Sequence, residues 1–149
     1  AGLEPGDRIV RIDGTEVKPV TAGDPMGTAL AAVKQGVLAQ RSVFFDYDSY
    51  VIKDEFKSLV EAHARFLVAN PRVKMLIQGN ADERGSREYN LALGQKRAEA
   101  LRKMLALLGA REDQIEAVSL GEEKPRCSEG NEGCWSQNRR DDMLYTGEF

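Results

Sequence analysis

Apolar and polar positions change their period several times along the chain of 149 residues. Short apolar runs at Ile9, Val10 and Ile12, then at Val17, lie among Gly2, Pro5, Gly6 and Gly14 and read as strand, turn, strand. Thr28 to Lys34 is a short helix former that stops at Gly36. Val43, Phe45 and Tyr47 then alternate with Phe44, Asp46 and Asp48, which predicts a strand running into a polar loop. From the cap candidate Asp54, the residues Phe56, Leu59, Val60, His63 and Leu67 recur at helical spacing as far as Asn70, where Pro71 forbids continuation. Val73, Met75, Ile77 and Gly79 alternate again as a strand, and Asn80 to Ser86 follows as a charged loop. Leu91, Gly94, Ala98, Leu101, Leu105 and Leu108 step by three and four in the clearest helical stripe, closed by Gly109, with Arg97 one position off it. Ile115 to Leu120 predicts a third strand, a polar loop carries both cysteines, and Arg140 to Tyr145 reads as a last short strand. Strands alternating with helices predict an α/β two-layer sandwich, with helices packed on one face of a mixed β-sheet.

Composition narrows the class. With 42% apolar and 30% charged residues the chain has a globular balance, which excludes a disordered, collagen-like or coiled-coil chain. No apolar run approaches membrane-spanning length. Twenty-one basic against 24 acidic residues give a net charge of -3, so nucleic acid is not an expected partner, and nothing supports a strongly acidic substrate. The length suits one domain, or one domain plus a fragment. The chain starts at Ala1 with neither a methionine nor an apolar signal stretch, so it reads as a mature or truncated piece of something longer. Cys127 and Cys134 lie in a polar stretch, too few for a zinc site made of cysteine alone. A local disulfide is the better reading, and closing that short loop stabilises by about 2.5 kcal/mol in an oxidising compartment. Its alternative is two unpaired surface thiols in a cytosolic protein.

Candidate chemistry is sparse. His63 is the single histidine, and its helical spacing among Leu59, Val60 and Leu67 suits a satisfied core residue better than a ligand. Without a second histidine or a thiol cluster, no metal site and no histidine-based nucleophile is expected, and no cofactor is indicated. Asp46, Asp48, Asp82 and Glu83 offer carboxylates for glycosidic cleavage, yet charged loops at strand ends are usually just solvated, so the expectation is a protein that is not an enzyme.

Longer motifs say more. RSVFFDYDSY at Arg41 to Tyr50, NADERGSREYNLALGQKRAEAL at Asn80 to Leu101, VSLGEEKP at Val118 to Pro125 and WSQNRR at Trp135 to Arg140 occur in that order. Together they resemble the OmpA-C-like domain family, most closely its peptidoglycan-associated lipoprotein (Pal) branch, over about Val37 to Tyr145. A flagellar-stator anchor would share the cell-wall chemistry, but the FDYDSY and GEEKP stretches look more like the Pal branch. The resemblance implies non-covalent binding, without cleavage, of the diaminopimelate residue in the peptidoglycan stem peptide. That binding would tether the outer membrane to the cell wall, as in the Tol-Pal system. It further implies a periplasmic, outer-membrane-associated location in a Gram-negative envelope and the propeller protein TolB as a partner, and with no lipid-attachment cysteine near Ala1 the lipid anchoring of the parent chain stays open. By position, Asp82 would hold the ligand's ammonium group and Arg97 a carboxylate, with Asn80, Leu93, Tyr47 and Asp48 lining the pocket. A zwitterionic ligand needs an anion and a bidentate cation held apart, which these residue types supply. Spacing alone leaves their proximity open, because Arg97 lies roughly 16 Å along the helix from Ser86 if the helix starts there. The two meet only if the Asn80 to Ser86 loop folds back. The competing reading of the same residues has Asp82 capping the helix or pairing with Arg84, and Arg97 merely bracketing the stripe. Two departures stand out. Ala81 precedes the aspartate where the family often has His or Thr, and Asp141 and Asp142 follow the arginines where small or apolar residues are usual, which is expected to weaken the last strand. The cysteine pair resembles a variant of the family in which the loop before that strand is stapled.

The front of the chain resembles another family. AGLEPGDRIVRIDGTEV at Ala1 to Val17 is similar to the second half of a bacterial PDZ domain, and TALAAVKQG at Thr28 to Gly36 to the helix after it. The chain thus divides into an incomplete PDZ-like segment or linker, residues 1–36, and an OmpA-C-like domain, residues 37–149. A PDZ module binds a peptide C-terminus by strand addition and carboxylate capture, through elements that would lie upstream of Ala1. The segment alone is therefore not expected to bind. The alternative function is a PDZ-type peptide-binding module completed by another chain.

Overall fold

The structure is a computed structural model and describes residues 10–12, 15–17, 31–33 and 35–149. Strands β1 (Val10–Ile12) and β2 (Thr15–Val17), both expected, form an antiparallel pair with Val10 opposite Val17. The rest of the PDZ-like stretch before Ala31 lies outside the described residues.

Four more strands make the main sheet: β3 (Ser42–Phe44), β4 (Met75–Asn80), β5 (Ile115–Gly121) and β6 (Arg140–Tyr145), in the order β3-β6-β4-β5. β4 and β5 run parallel, whereas β6 pairs antiparallel with both β3 and β4. A parallel pair needs a crossover, and α2 (Arg87–Leu107) provides it, while α1 (Lys57–Ala69) links β3 to β4. Val60, Phe66 and Leu67 of α1, Leu101 and Leu105 of α2, Met75 and Ile77 of β4, and Met143 and Tyr145 of β6 are all fully or almost fully buried in one core between helices and sheet. The architecture is the mixed-sheet α/β sandwich that the alternating pattern predicts.

Local chemistry sets the helix ends. The Asn70 side chain donates to the Phe66 carbonyl at 2.9 Å as α1 stops before Pro71. Ser86 caps α2 by accepting from the Tyr89 N–H at 3.0 Å, and Gly109 closes it with φ 109°. The buried face of α2 is rotated from the predicted stripe. Asn90, Leu93, Gly94, Arg97, Ala98, Leu101 and Leu105 are buried, whereas Leu91 is 52% and Leu108 40% exposed. An apolar count misses this because two of the inward positions are polar.

Two other elements differ from expectation. β3 ends at Phe44, because Asp46 to Ser49 is a turn in which Ser49 N–H donates to the Asp46 carbonyl and Asp48 has φ 52°. The cysteine loop contains a short helix, α3 (Glu132–Asn138). At the far end of β4 the pairing with β5 shifts register between Gly79 and Asn80, an irregularity at the point where the chain leaves the sheet for the charged loop. There α2 comes down on the strand. A Cβ on Gly79 would lie 1.8 Å from the Gly94 carbonyl oxygen, so only glycine fits.

Candidate ligand-binding site

A cavity of about 170 Å³ opens where three segments meet. Tyr47 and Asp48 come from the turn after β3, Ala81, Asp82, Arg84 and Gly85 from the loop after β4, and Tyr89, Asn90 and Leu93 from the first turns of α2.

Asp82 is 4% exposed and held by its own loop. Its Oδ1 accepts from the Arg84 N–H at 2.9 Å and from Arg84 Nε at 3.2 Å, and its Oδ2 from Arg84 Nη2 at 2.8 Å. Arg139 Nη1 stands 3.6 Å from the same Oδ2. Burial pushes the pKa of this carboxyl up, but the hydrogen bonds and charge of Arg84, with Arg139 behind, outweigh it and hold the pKa below the usual aspartate value. That is the wrong direction for a general acid. Across the cavity, the Tyr89 hydroxyl donates to Asp48. The wall therefore presents two carboxylates and the Arg84 guanidinium, which lies 4.0 Å from the centre of the Tyr47 ring.

Of the residues assigned from sequence, Asp82, Tyr47, Asp48 and Leu93 line this cavity, and Asn80 and Arg97 lie behind it. The loop does fold back onto α2: Arg97 Nη1 donates to the Asn80 carbonyl at 2.8 Å, Nε to the Ser49 carbonyl at 2.7 Å and Nη2 to the Asp46 carbonyl at 3.2 Å. Arg97 is fully buried, and burial lowers its pKa to about 10. In this state it braces both loops of the cavity from beneath and presents no free fork to a ligand. Asn80 is buried too, its Nδ2 donating to the Gln78 and Arg140 carbonyls at 3.0 and 3.3 Å. Asp82 pairs with Arg84, as the competing reading of the motif had it. Arg84, Tyr89 and Asn90 line the cavity without being assigned from the sequence, and Trp135 stands just behind Arg84. The only signal for Arg84 and Trp135 was adjacency, Arg84 two positions after Asp82 and Trp135 directly after a cysteine.

The departures in β6 resolve differently. Asp142 accepts from Ser42 Oγ at 2.7 Å and pairs with Arg140 at 2.9 Å, and β6 keeps partners on both sides. Asp141 is fully buried, neither carboxylate oxygen has a hydrogen-bond partner, and its pKa is raised well above the ordinary aspartate value, chiefly by burial. Cys127 and Cys134 form the disulfide, with Cα atoms 5.3 Å apart. His63 is the satisfied core residue that its spacing suggested, between Tyr145 and the Gln40 carbonyl. Among the described residues no group of three or more His, Cys, Asp or Glu could hold a metal ion, and no helix is long and apolar enough to cross a membrane.

Fold and cavity together define a small two-layer α/β binding domain. Residues 44–139 match the OmpA family model. The chain is 44% identical over 104 residues to the peptidoglycan-associated lipoprotein of Pasteurella multocida, covering 70% of this chain and 69% of that protein. It is 40% identical over 126 residues to that of Haemophilus influenzae, with 83% and 82% covered. The crystal structure of the peptidoglycan-associated lipoprotein from Burkholderia pseudomallei superimposes with a TM-score of 0.75 at 54% identity, over 76% of this chain and 96% of that one. The C-terminal domain of Helicobacter pylori MotB shares the fold, with a TM-score of 0.66 at 20% identity over 72% of this chain and 84% of that one. The chain belongs to the OmpA family and, within it, to the peptidoglycan-associated lipoproteins.

Proposed function

We propose that the chain binds the stem peptide of peptidoglycan non-covalently, through its diaminopimelate residue, and so tethers the outer membrane to the cell wall. One observation supports this beyond the relatives' names: the cavity wall joins two carboxylates, Asp48 and Asp82, to one guanidinium, Arg84, a complement to a zwitterion rather than to a simple anion or cation. In this reading Asp82 takes the ligand's ammonium, with Asp48 opposite and Leu93 against the methylene chain. Asn80 sets the loop that carries Asp82. Arg97 supplies positive potential from beneath and reaches a ligand carboxylate only when it releases the Asp46 and Ser49 carbonyls. The stem peptide is held and released without cleavage.

The same reading gives the protein a periplasmic place at the outer membrane, a lipid-anchored parent chain and a TolB-like propeller as partner, which co-purification with TolB would test. Residues 1–36 are a PDZ-like segment or linker that binds no C-terminal peptide by itself, although Val33 near its end is buried in the core of the domain. Titration of a diaminopimelate stem peptide by calorimetry tests the central claim. Asp82→Ala is expected to weaken binding more than tenfold, since truncating one partner of a buried charge pair costs about 2–5 kcal/mol. Equal affinity for wild type and Asp82→Ala, or equal binding of lysine stems that lack the second carboxylate, would defeat the assignment.

A further inference from the structure

Trp135 is the only tryptophan of the chain and does not itself line the cavity. Its ring nevertheless touches the site twice. The Arg84 guanidinium carbon lies 4.1 Å from the centre of the Trp135 ring and 4.0 Å from that of Tyr47, so the group is held between two aromatic faces. The indole N–H donates to Glu83 Oε1 at 3.0 Å. Glu83 and Arg84 directly follow Asp82, and Arg84 donates three times to the Asp82 carboxylate. Both contacts of Trp135 therefore fix the segment that carries the proposed ammonium acceptor. Where Arg84 stands decides how much of that carboxylate is left for a ligand.

Trp135 is placed by tethers rather than by its helix. α3 has seven residues, too short to hold itself in water. The Cys127–Cys134 bridge closes the chain immediately before Trp135. Asn131 caps the helix by accepting from the Cys134 N–H at 2.9 Å. Asn138 Oδ1 accepts from the Arg126 and Cys127 N–H groups at 2.7 and 3.1 Å, and its Nδ2 donates to the Cys127 carbonyl at 2.8 Å. Bridge and asparagine thus bind the two ends of the segment to each other, with the tryptophan between them.

We propose that Trp135 is a positioning residue of the cavity, and that the Cys127–Cys134 bridge acts on ligand affinity through it. The inference deepens the stem-peptide reading and rests on it. Without the indole, Arg84 keeps one ring face instead of two and Glu83 loses its donor, so the segment that carries the Asp82 carboxylate is no longer held in place for the ligand's ammonium. Without the bridge, the indole loses its fixed place and the same loosening follows.

The test combines calorimetry of a diaminopimelate stem peptide with acrylamide quenching of Trp135 fluorescence, which reads one site because there is one tryptophan. The variants are Trp135→Ala, Trp135→Phe, the Cys127→Ser/Cys134→Ser pair, and that pair combined with Trp135→Ala, each checked for folding by circular dichroism. Trp135→Ala and the serine pair are each expected to weaken binding about two- to fivefold, the fold-change of one exposed cation–π contact. Trp135→Phe should retain most of the affinity, and the triple variant should bind no more weakly than Trp135→Ala alone. In the serine pair Trp135 should become more open to quencher. Wild-type affinity in Trp135→Ala overturns the proposal, as does a serine-pair loss that persists in full when Trp135 is already absent. If the serine pair fails to fold, the two Trp135 variants with the bridge intact decide. If wild type binds no stem peptide, the functional reading fails, and the quenching decides the rest: unchanged quenching in the serine pair overturns the coupling, and increased quenching supports it.

Discussion

Two groups of polar side chains are buried between helices and sheet, and they are satisfied to different degrees. Around His63 the pairing is complete. Nε2 donates to the Gln40 carbonyl at 2.8 Å, which leaves Nδ1 as acceptor for the Tyr145 hydroxyl at 2.5 Å. Nearby, Arg41 donates to the Val33 and Leu38 carbonyls, lies over the Tyr145 ring and pairs with Glu148 at 2.5 Å. Under the cavity Arg97 has three carbonyl partners, but both oxygens of Asp141 and the Oδ1 of Asn80 have none. A buried polar group without a partner costs about 1–3 kcal/mol, so the first cluster holds the fold together and the second accepts a cost beside the ligand wall. The lesson is that buried polarity does not mark a site by itself. Incomplete satisfaction next to a cavity does.

The comparison can be broken hardest at Arg97. Arg97→Ala leaves the Asp46, Ser49 and Asn80 carbonyls without a donor, and chemical denaturation should show a loss of about 3–5 kcal/mol. Asp82→Ala and Arg97→Ala are then not twins, since the first acts on affinity and the second on the fold as well.

Acidity sharpens the contrast, because the two clusters have opposite slopes. Burial lowers the pKa of His63 from 6.5 to about 4 in the folded state. Between those values the unfolded chain binds the proton and the folded one does not, so this residue alone removes about 3 kcal/mol of stability as pH falls from 6.5 to 4. Asp141, with its pKa raised, holds its proton in the folded state while the unfolded chain ionises, so its contribution worsens as pH rises above the ordinary aspartate value. In wild type the two partly cancel in mildly acid solution. Asp141→Ala should stabilise by about 1–3 kcal/mol at pH 7, lose that gain as pH drops to the ordinary aspartate value, and reveal the full His63 slope. Thermal unfolding from pH 4 to 7 on both proteins reads all of this. A destabilised Asp141→Ala at pH 7 would mean that the carboxyl has a partner in solution.

Smaller effects test the satisfied cluster and the surface. Tyr145→Phe leaves His63 Nδ1 unpartnered and should cost about 1–2 kcal/mol by denaturation. Arg87→Ala removes an exposed pair with Glu123 and should change stability by less than about 1 kcal/mol and stem-peptide affinity not at all.

The sandwich was legible because its strands alternate and α2 carries a continuous stripe, so sheet order aside, β4, β5, β6, α1 and α2 follow from the sequence pattern. The exact face of α2 was not. A charged residue one step off an apolar stripe reads as a solvent bracket, and it is the carbonyls of Asn80, Ser49 and Asp46, 17, 48 and 51 residues away in sequence, that draw Arg97 inward. Alternation through Tyr47 predicts a longer β3 than the structure has, because it says nothing of the left-handed turn at Asp48. α3 carries no apolar period and contains Gly133; it exists through a cap, a bridge and Asn138, none of which a pattern count weighs. The cavity was half legible: the motif located Asp82, Leu93, Tyr47 and Asp48, while the order of charges around them depends on which arginine the packing leaves outside.

The backbone contact between Gly79 and Gly94 works as a stop, like the end block of a drawer. A side chain on Gly94 would meet Ser119 Oγ at 2.3 Å and the Gly79 carbonyl oxygen at 2.8 Å, so the helix rests on the sheet with no room to settle further. Leu93 sits beside that stop, Tyr89 one turn before it and Arg97 one turn after. Any methyl inserted there lifts the wall and its brace together. The depth of the cavity is thus gauged from outside it, and a lineage can change what fits without altering one residue that a ligand touches.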